Sequence, residues 1–478
     1  MYETLGRSII HAYPYDEAGE RMYMEDQRER KNSQQILLDD RRVIRLLAKL
    51  SLPAMIGLLV NTLYTMVDML FVGRSVGPVG LAALGISMGG YLILTATALM
   101  MGIGGASLVS RQLGAGEKEA AGRTASVSVG GMLLISATLG VLGLLFFPQL
   151  ASMLGSDAET YPLVRSYLGV LLAGSPLITL STVLNALLRS QGKVKASMVA
   201  SIIGNGCNIL LDFLLIIILD WGVMGAAVAT VVGQSSSALF AFYILSSRRS
   251  AFSLSKGEGS PFFQLFGRII SLGSPTLVRQ LGTSVVTIVV NRSLLLYGDT
   301  LAIAAYGIIW TLLMFFNMPI SGIVQGFQPI VGYHAGAKQN EEVFRVLKAS
   351  LLVTFLIGCF FLLLVTLFPG VFLRLFTKDE QLLERAVPAA RLLLASLPFL
   401  GMQSVGTAFF QAIGKALPAL VLWIGRQFVL LVPLILLLGN YLGAQGIYLA
   451  FPIADFLSAL FILYLVFRHL HQGAYSTT

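Results

Sequence analysis

Asn208 and Asp212 stand four residues apart in an otherwise apolar stretch, Gly204 to Thr230, long enough to cross a bilayer. On a helix they share one face, one turn from each other. An acid at the centre of a membrane helix costs about 2.5–3.5 kcal/mol on insertion scales, so it normally faces a bundle interior and binds something. Asp68 is a second acid inside an apolar run, with Tyr64 one turn before it. Burial and a neighbouring like charge both disfavour an ionised carboxyl. Two such groups at one pocket can take up a proton from one side and release it to the other. Ionised, with amide and hydroxyl oxygens beside them, they can instead hold Na+, which prefers hard oxygen ligands.

Each of these residues also has a blander role. An acid can simply hydrogen-bond a neighbouring helix. Asn208, Asn185 and Thr230 can be interhelical glue, worth about 0.6 kcal/mol each on average. Tyr64 can be an interfacial anchor, although its spacing lets it donate to Asp68. Asp455 sits in a later apolar run, and its expected partner is Arg426 or Arg279, because buried charges are normally paired.

Other chemistry is poorly supported. There is no Walker A loop, no HExxH and no zinc-type Cys/His spacing. His11, His334, His469 and His471 all fall in tails or loops, and no nucleophile–base pair lies within a span. No enzyme and no organic cofactor are expected. Cys207 and Cys359 are the only cysteines, both in apolar runs, so a disulfide framework is not indicated.

The elements that must position the two acids follow from composition. The chain has 478 residues, 56% hydrophobic and 12% charged, with mean hydropathy +0.79. Soluble proteins carry about 25% charged residues. Long apolar runs recur throughout, so the fold class is an all-α polytopic membrane protein. Twelve transmembrane helices are expected at about 50–73, 84–110, 124–147, 161–187, 196–219, 224–246, 269–296, 302–331, 346–368, 387–411, 417–439 and 446–467.

Of the 33 Lys and Arg, only Arg74, Arg165, Arg292, Arg374, Lys378, Arg385 and Arg391 lie at odd-numbered loops, and Arg279 and Arg426 lie inside spans. The rest fall on the side of the two termini, which the positive-inside rule makes cytoplasmic. The net charge of +9 then reflects loops near anionic lipid and not a nucleic-acid partner. The polar N-terminus lacks an apolar h-region, so no cleaved signal peptide is expected. Residues 33–49 have the pattern of a basic amphipathic helix lying on the inner leaflet.

The chain repeats internally. Ala82-Ala83 and Gly85 return as Ala304-Ala305 and Gly307, an offset of 222. Pro53 and Pro176 return as Pro275 and Pro398, and Gly192-Lys193 as Gly414-Lys415. Six spans bring the chain back to its starting side, so the halves are two parallel-repeat six-helix lobes. The expected divisions are a cytoplasmic N-terminal tail (1–45), a first lobe (46–246), a cytoplasmic linker (247–268), a second lobe (269–468) and a cytoplasmic C-terminal tail (469–478). Pro53 and Pro275 mark expected kinks or hinges.

Pro53, the run Tyr64-Thr-Met-Val-Asp68-Met-Leu-Phe-Val-Gly73, and Asn208-Ile-Leu-Leu-Asp212 followed by Gly222-Val-Met-Gly225-Ala-Ala-Val-Ala-Thr230 resemble the multidrug and toxic compound extrusion (MATE) transporters. The likeness spans about residues 45 to 468 and is closest to the DinF-like branch. It implies a coupling-ion site for H+ or Na+ at Asp68, Asp212, Asn208, Asn185, Thr230 and Tyr64, with Na+ held by Asp68, Asp212, Asn208 and Thr230. It places the bent-helix proline of the first span at Pro53. The NorM-like branch carries acids in spans 7, 8 and 10, where this chain has Gln280, Asn291, Asn317, Gln325, Gln328, Gln403 and Gln411. Ion coupling is therefore expected in the first lobe.

The resemblance implies a monomeric antiporter of the cell (plasma or inner) membrane that exports lipophilic organic cations by alternating access. Small organic molecules and membrane lipid would be its partners. The alternative is a lipid-linked oligosaccharide flippase of the same superfamily, for which Arg279 and Arg426 speak and the two acids do not.

Overall fold

The structure, a computed structural model, describes residues 43–247, 250–252, 261–377 and 379–474. The tail before residue 43, most of the expected linker and the last residues of the C-terminal tail lie outside the described residues.

Ordered along the chain, the first half is α1 (Val43–Ser75), α2 (Pro78–Gly114), α3 (Lys118–Leu145), the short α4 (Phe147–Met153), α5 (Tyr161–Ala173), α6 (Ser175–Ser190), α7 (Val194–Asp212), a π-helical segment (Phe213–Ile218) and α8 (Gly222–Ser246). The second half is α9 (Phe262–Tyr297), α10 (Thr300–Gly336), α11 (Asn340–Leu367), the short α12 (Pro369–Leu373), α13 (Glu380–Leu394), α14 (Leu397–Ala412), α15 (Ala416–Ile424), a second π segment (Gly425–Leu431) and α16 (Val432–Ala474). The order repeats element by element, and even the short helices α4 and α12 begin 222 residues apart.

Among the described residues, eight helices are long and apolar enough to cross a membrane, and two bent pairs, α5–α6 at 54° and α13–α14 at 42°, bring the total to ten. Pro176 and Pro398 stand at these bends, in the first turn of α6 and α14, where a missing N–H costs nothing. One of the eight, Ala416–Arg468, has 53 residues. That is about 80 Å of helix, more than two bilayer cores. It breaks at Gly443 (φ 61°, ψ −146°) and counts as two spans. The last span is α9, whose Arg268, Arg279 and Arg292 lower its hydropathy. The result is the twelve spans expected.

One departure concerns the first span. α1 starts at Val43, and Val43, Leu46, Leu47 and Leu50 are buried against α10 and α11. Residues 43–49 are therefore part of the first span and not a separate surface helix, because their apolar stripe has a protein partner. Residues 33–42 lie outside the described residues. Pro53 and Pro275 each sit inside a helix that continues past them.

The lobes are related by a two-fold axis along the helices. Gly114 of α2 packs on Tyr333 of α10, and Gly336 of α10 packs on Arg111 of α2. A Cβ on either glycine would stand 1.9 Å from the facing carbonyl oxygen. Both partners of the second contact are the first shifted by 222, so the seam is self-complementary.

Apolar packing crosses between lobes only towards the end that carries the chain's start. There α1 packs on α10 and α11, and Leu265 and Ile269 of α9 join a core built on α2, α3, α6 and α8. Towards the opposite end each lobe keeps its own core. Val72, Tyr167 and Ile216 belong to one, and Val290, Tyr306 and Phe316 to another. Among the described residues, the buried apolar clusters that join the two lobes lie towards the terminus end.

Candidate functional site

Asp68 projects from the last third of α1 and is 6% exposed, while Asp212, the last residue of α7, is fully buried. Their charges lie within electrostatic reach of each other. The π segment begins directly after Asp212. Such insertions shift the helical register and recur at functional sites.

Asn208 lies one turn before Asp212 on the same face. With its amide turned to satisfy both ends, Nδ2 donates to Asp212 Oδ2 at 3.2 Å and Oδ1 accepts from the backbone N–H of Thr230 at 3.2 Å. The α7–α8 crossing that allows this depends on Gly233, where a Cβ would stand 2.8 Å from that of Asn208. A side chain there would push Thr230 away from Asn208. Oδ1 of Asp68 and Oδ1 of Asp212 are both buried without a hydrogen-bond partner. Unsatisfied buried acceptors are costly, and two of them beside one another suit a proton or a small cation.

Tyr64 is buried one turn from Asp68. It lies within electrostatic reach of both acids, and its hydroxyl faces Tyr91 of α2. Tyr167 of α5 is likewise near both acids. The structure thus brings Asp68, Asp212, Asn208, Thr230 and Tyr64 near one another.

Asn185 does not hydrogen-bond this group. Its Nδ2 donates to Ser181 O at 2.9 Å and Ser237 Oγ at 3.1 Å, and its Oδ1 accepts from Ser197 Oγ at 3.0 Å. Ser237 is two helical turns beyond Thr230 on α8, so Asn185 sits a layer closer to the terminus end. That layer surrounds a cavity of about 210 Å³ lined by Asn61, Asn185, Arg189, Ser197, Asn205 and Gln234 among others. Arg189 closes part of it by donating to Ser197 Oγ at 3.0 Å.

Tyr91, Tyr167, Asn61, Asn205, Arg189 and Gln234 were not anticipated. Three of them carry a readable signal: Asn61 is two turns before Asp68, Asn205 two turns before Asp212, and Gln234 one turn after Thr230. All three continue the polar face towards the terminus end.

The second lobe lacks this site. At the repeat offset of 221 to 222, Asp68 becomes Val290, Asn208 becomes Val429 or Leu430, Asp212 becomes Pro433 or Leu434, and Thr230 becomes Phe451. Its polar interior is a buried pair instead, with Arg426 Nε donating to Asp455 Oδ1. This is one of the two partners anticipated for Asp455.

A family model described as MatE matches residues 53–214 and 275–437, one match in each lobe. The chain belongs to the MatE family. Its relatives include the multidrug export protein MepA of Staphylococcus haemolyticus, 27% identical over 439 residues, covering 91% of this chain and 96% of that protein. Among solved structures, one described as an outward-facing conformation of a multidrug resistance MATE family transporter of the MOP superfamily is 28% identical. It has a TM-score of 0.83 and covers 88% of this chain and 95% of that one. Another, described as MATE in the bent conformation, is 28% identical with a TM-score of 0.85, covering 93% and 99%. MatE proteins of this kind are membrane transporters and not enzymes.

Proposed function

We propose that this MatE protein is a cation-coupled exporter of organic molecules, with the coupling ion bound at Asp68 and Asp212. The observation that carries the reading is the pair of buried, unpartnered carboxylate oxygens in the first lobe. H+ or Na+ enters from the open side and binds there, with Asn208, Thr230 and Tyr64 completing the site. The outgoing molecule occupies the space between the lobes.

Exchange requires that ion and substrate favour different arrangements of the lobes. The gradient supplies the free energy, about 2.3 kcal/mol per charge per 100 mV of membrane potential. The close packing of the lobes at the terminus end supports a state closed on that side. Alternating access consists of opening that seal and closing the far side. On this reading the protein is a monomer of the cell membrane with both termini in the cytoplasm. Its divisions are a tail at 1–45, lobes at 46–246 and 269–468, a linker at 247–268 and a C-terminal tail at 469–478. The relatives' name, multidrug export protein, supports drugs as cargo, and two acids in the first lobe favour lipophilic cations among them.

The test is ethidium efflux from proteoliposomes with independently imposed pH and Na+ gradients. Asp68→Asn and Asp212→Asn are expected to insert normally and to lose gradient-driven efflux. Efflux that persists in both variants refutes the site. The gradient to which the unmodified protein responds names the ion.

A further inference from the structure

We propose that Arg279 forms an anion subsite on the second lobe's side of the cleft, so that a preferred cargo carries a carboxylate together with its cationic centre. This deepens the exporter reading and rests on it.

Arg279 stands at the middle of α9, one turn beyond Thr276. Thr276 Oγ1 accepts from Gln411 Nε2 of α14 at 3.0 Å. Arg279 is exposed on the surface of α9. A guanidinium at mid-span avoids lipid and turns to a water-filled space. Its helical stripe agrees. Pro275, Gly282, Val286 and Val290 lie on the same stripe and are buried, and Gly282 abuts the ring of Trp423. The stripe therefore faces the interior of the second lobe.

The repeat makes the same placement independently. Arg279 falls on Gly57 at an offset of 222, and Gly57 lines the first lobe's polar cavity together with Pro53 and Asn61. Their counterparts are Pro275 and Thr283. Arg279 thus enters the second lobe's version of that cavity.

No carboxylate of the described residues lies within ion-pair distance of Arg279. Asp455, the one acid in the interior of this lobe's spans, is already taken by Arg426. A charge at membrane depth is normally paired or solvated at a working pathway. Gln403 of α14 adds a second donor, because its Nε2 is buried without a partner. It lies two turns beyond Gln411, on the same far side of the seam as Arg279.

The two lobes therefore present opposite signs. The first offers two carboxylates and the second a guanidinium, which matches a carboxylate in charge and in fork geometry. A purely cationic cargo leaves Arg279 without a counter-charge, and a zwitterion supplies one.

The test is binding of rhodamine B, a zwitterion, and of its ethyl ester, which keeps the cation and loses the carboxylate. Fluorescence anisotropy with purified protein gives the ratio of the two affinities. In Arg279→Gln the ratio is expected to fall roughly tenfold against rhodamine B, between the effects of exposed and buried charge pairs. Arg279→Lys should keep most of it. In the unmodified protein, benzoate should compete with rhodamine B and not with the ester, a measurement that does not depend on a variant folding. An unchanged ratio in Arg279→Gln, or benzoate that competes equally with both dyes, overturns the proposal. Binding is measured without a gradient, so failed ion coupling and a failed anion subsite give separate results.

Discussion

At the scale of single residues, Asn208 does two things with one side chain. It donates to Asp212 and accepts from the backbone of Thr230, fixing the acid and tying α7 to α8. A hydrogen bond to a charged group is worth about 1.5–3 kcal/mol. Asn208→Ala is therefore expected to raise the ion concentration needed for half-maximal efflux by roughly tenfold or more, as measured in proteoliposomes across a series of ion concentrations. An unchanged midpoint would mean that Asn208 is only glue. The acids, Asn208 and Thr230 were legible because polar groups in apolar runs have few reasons to be there. Asn185 was harder to place. Sequence shows which face of a helix is polar but not how far one helix slides along another, and that offset puts Asn185 beside Ser197 and Ser237. Asn61, Asn205 and Gln234 were missed because their role is to line a cavity, which exists only once six helices are assembled.

At the scale of elements, the second lobe's charged pair ties the π segment before α16 to the body of α16. Arg426 and Asp455 are nearly inaccessible, with side-chain exposures of 10% and 0%. At the offset of 221 set by Gly222 and Gly443, Asp455 repeats Gln234 of the first lobe. One position thus lines a cavity in the first lobe and carries a buried charge pair in the second. Removing one partner of a buried pair costs about 3–5 kcal/mol, while replacing both by apolar groups can be nearly neutral. Arg426→Met alone should lower thermal stability in detergent sharply, and Arg426→Met with Asp455→Leu should recover most of it. A double variant as unstable as the single one would show that the pair does more than join the helices. The number and order of the spans were legible from apolar runs and the 222 offset. The start of α1 at Val43 was not, because residues 43–49 look amphipathic until α10 and α11 cover their apolar stripe.

At the scale of the whole molecule, the seal at the terminus end depends on backbones that touch. Gly114 and Gly336 leave no room for a side chain. Gly114→Val should therefore hold the lobes apart at that end. Spin labels on the terminus-side ends of α3 and α11 should report longer distances in the variant than in the unmodified protein. Equal distances would mean that the seam yields elsewhere. A parallel repeat was readable from the sequence, but the access state was not, since both states use the same residues and differ only in which ends meet.

The central claim is that cargo and ion compete through the charge state of two acids in one lobe. Counting cations released when ethidium binds the purified protein, in weak buffer at controlled pH and Na+, tests it most directly. The account predicts measurable release of H+ or Na+ from the unmodified protein and none from the Asp68→Asn, Asp212→Asn double variant while it still binds the dye. Equal release from both proteins would contradict it.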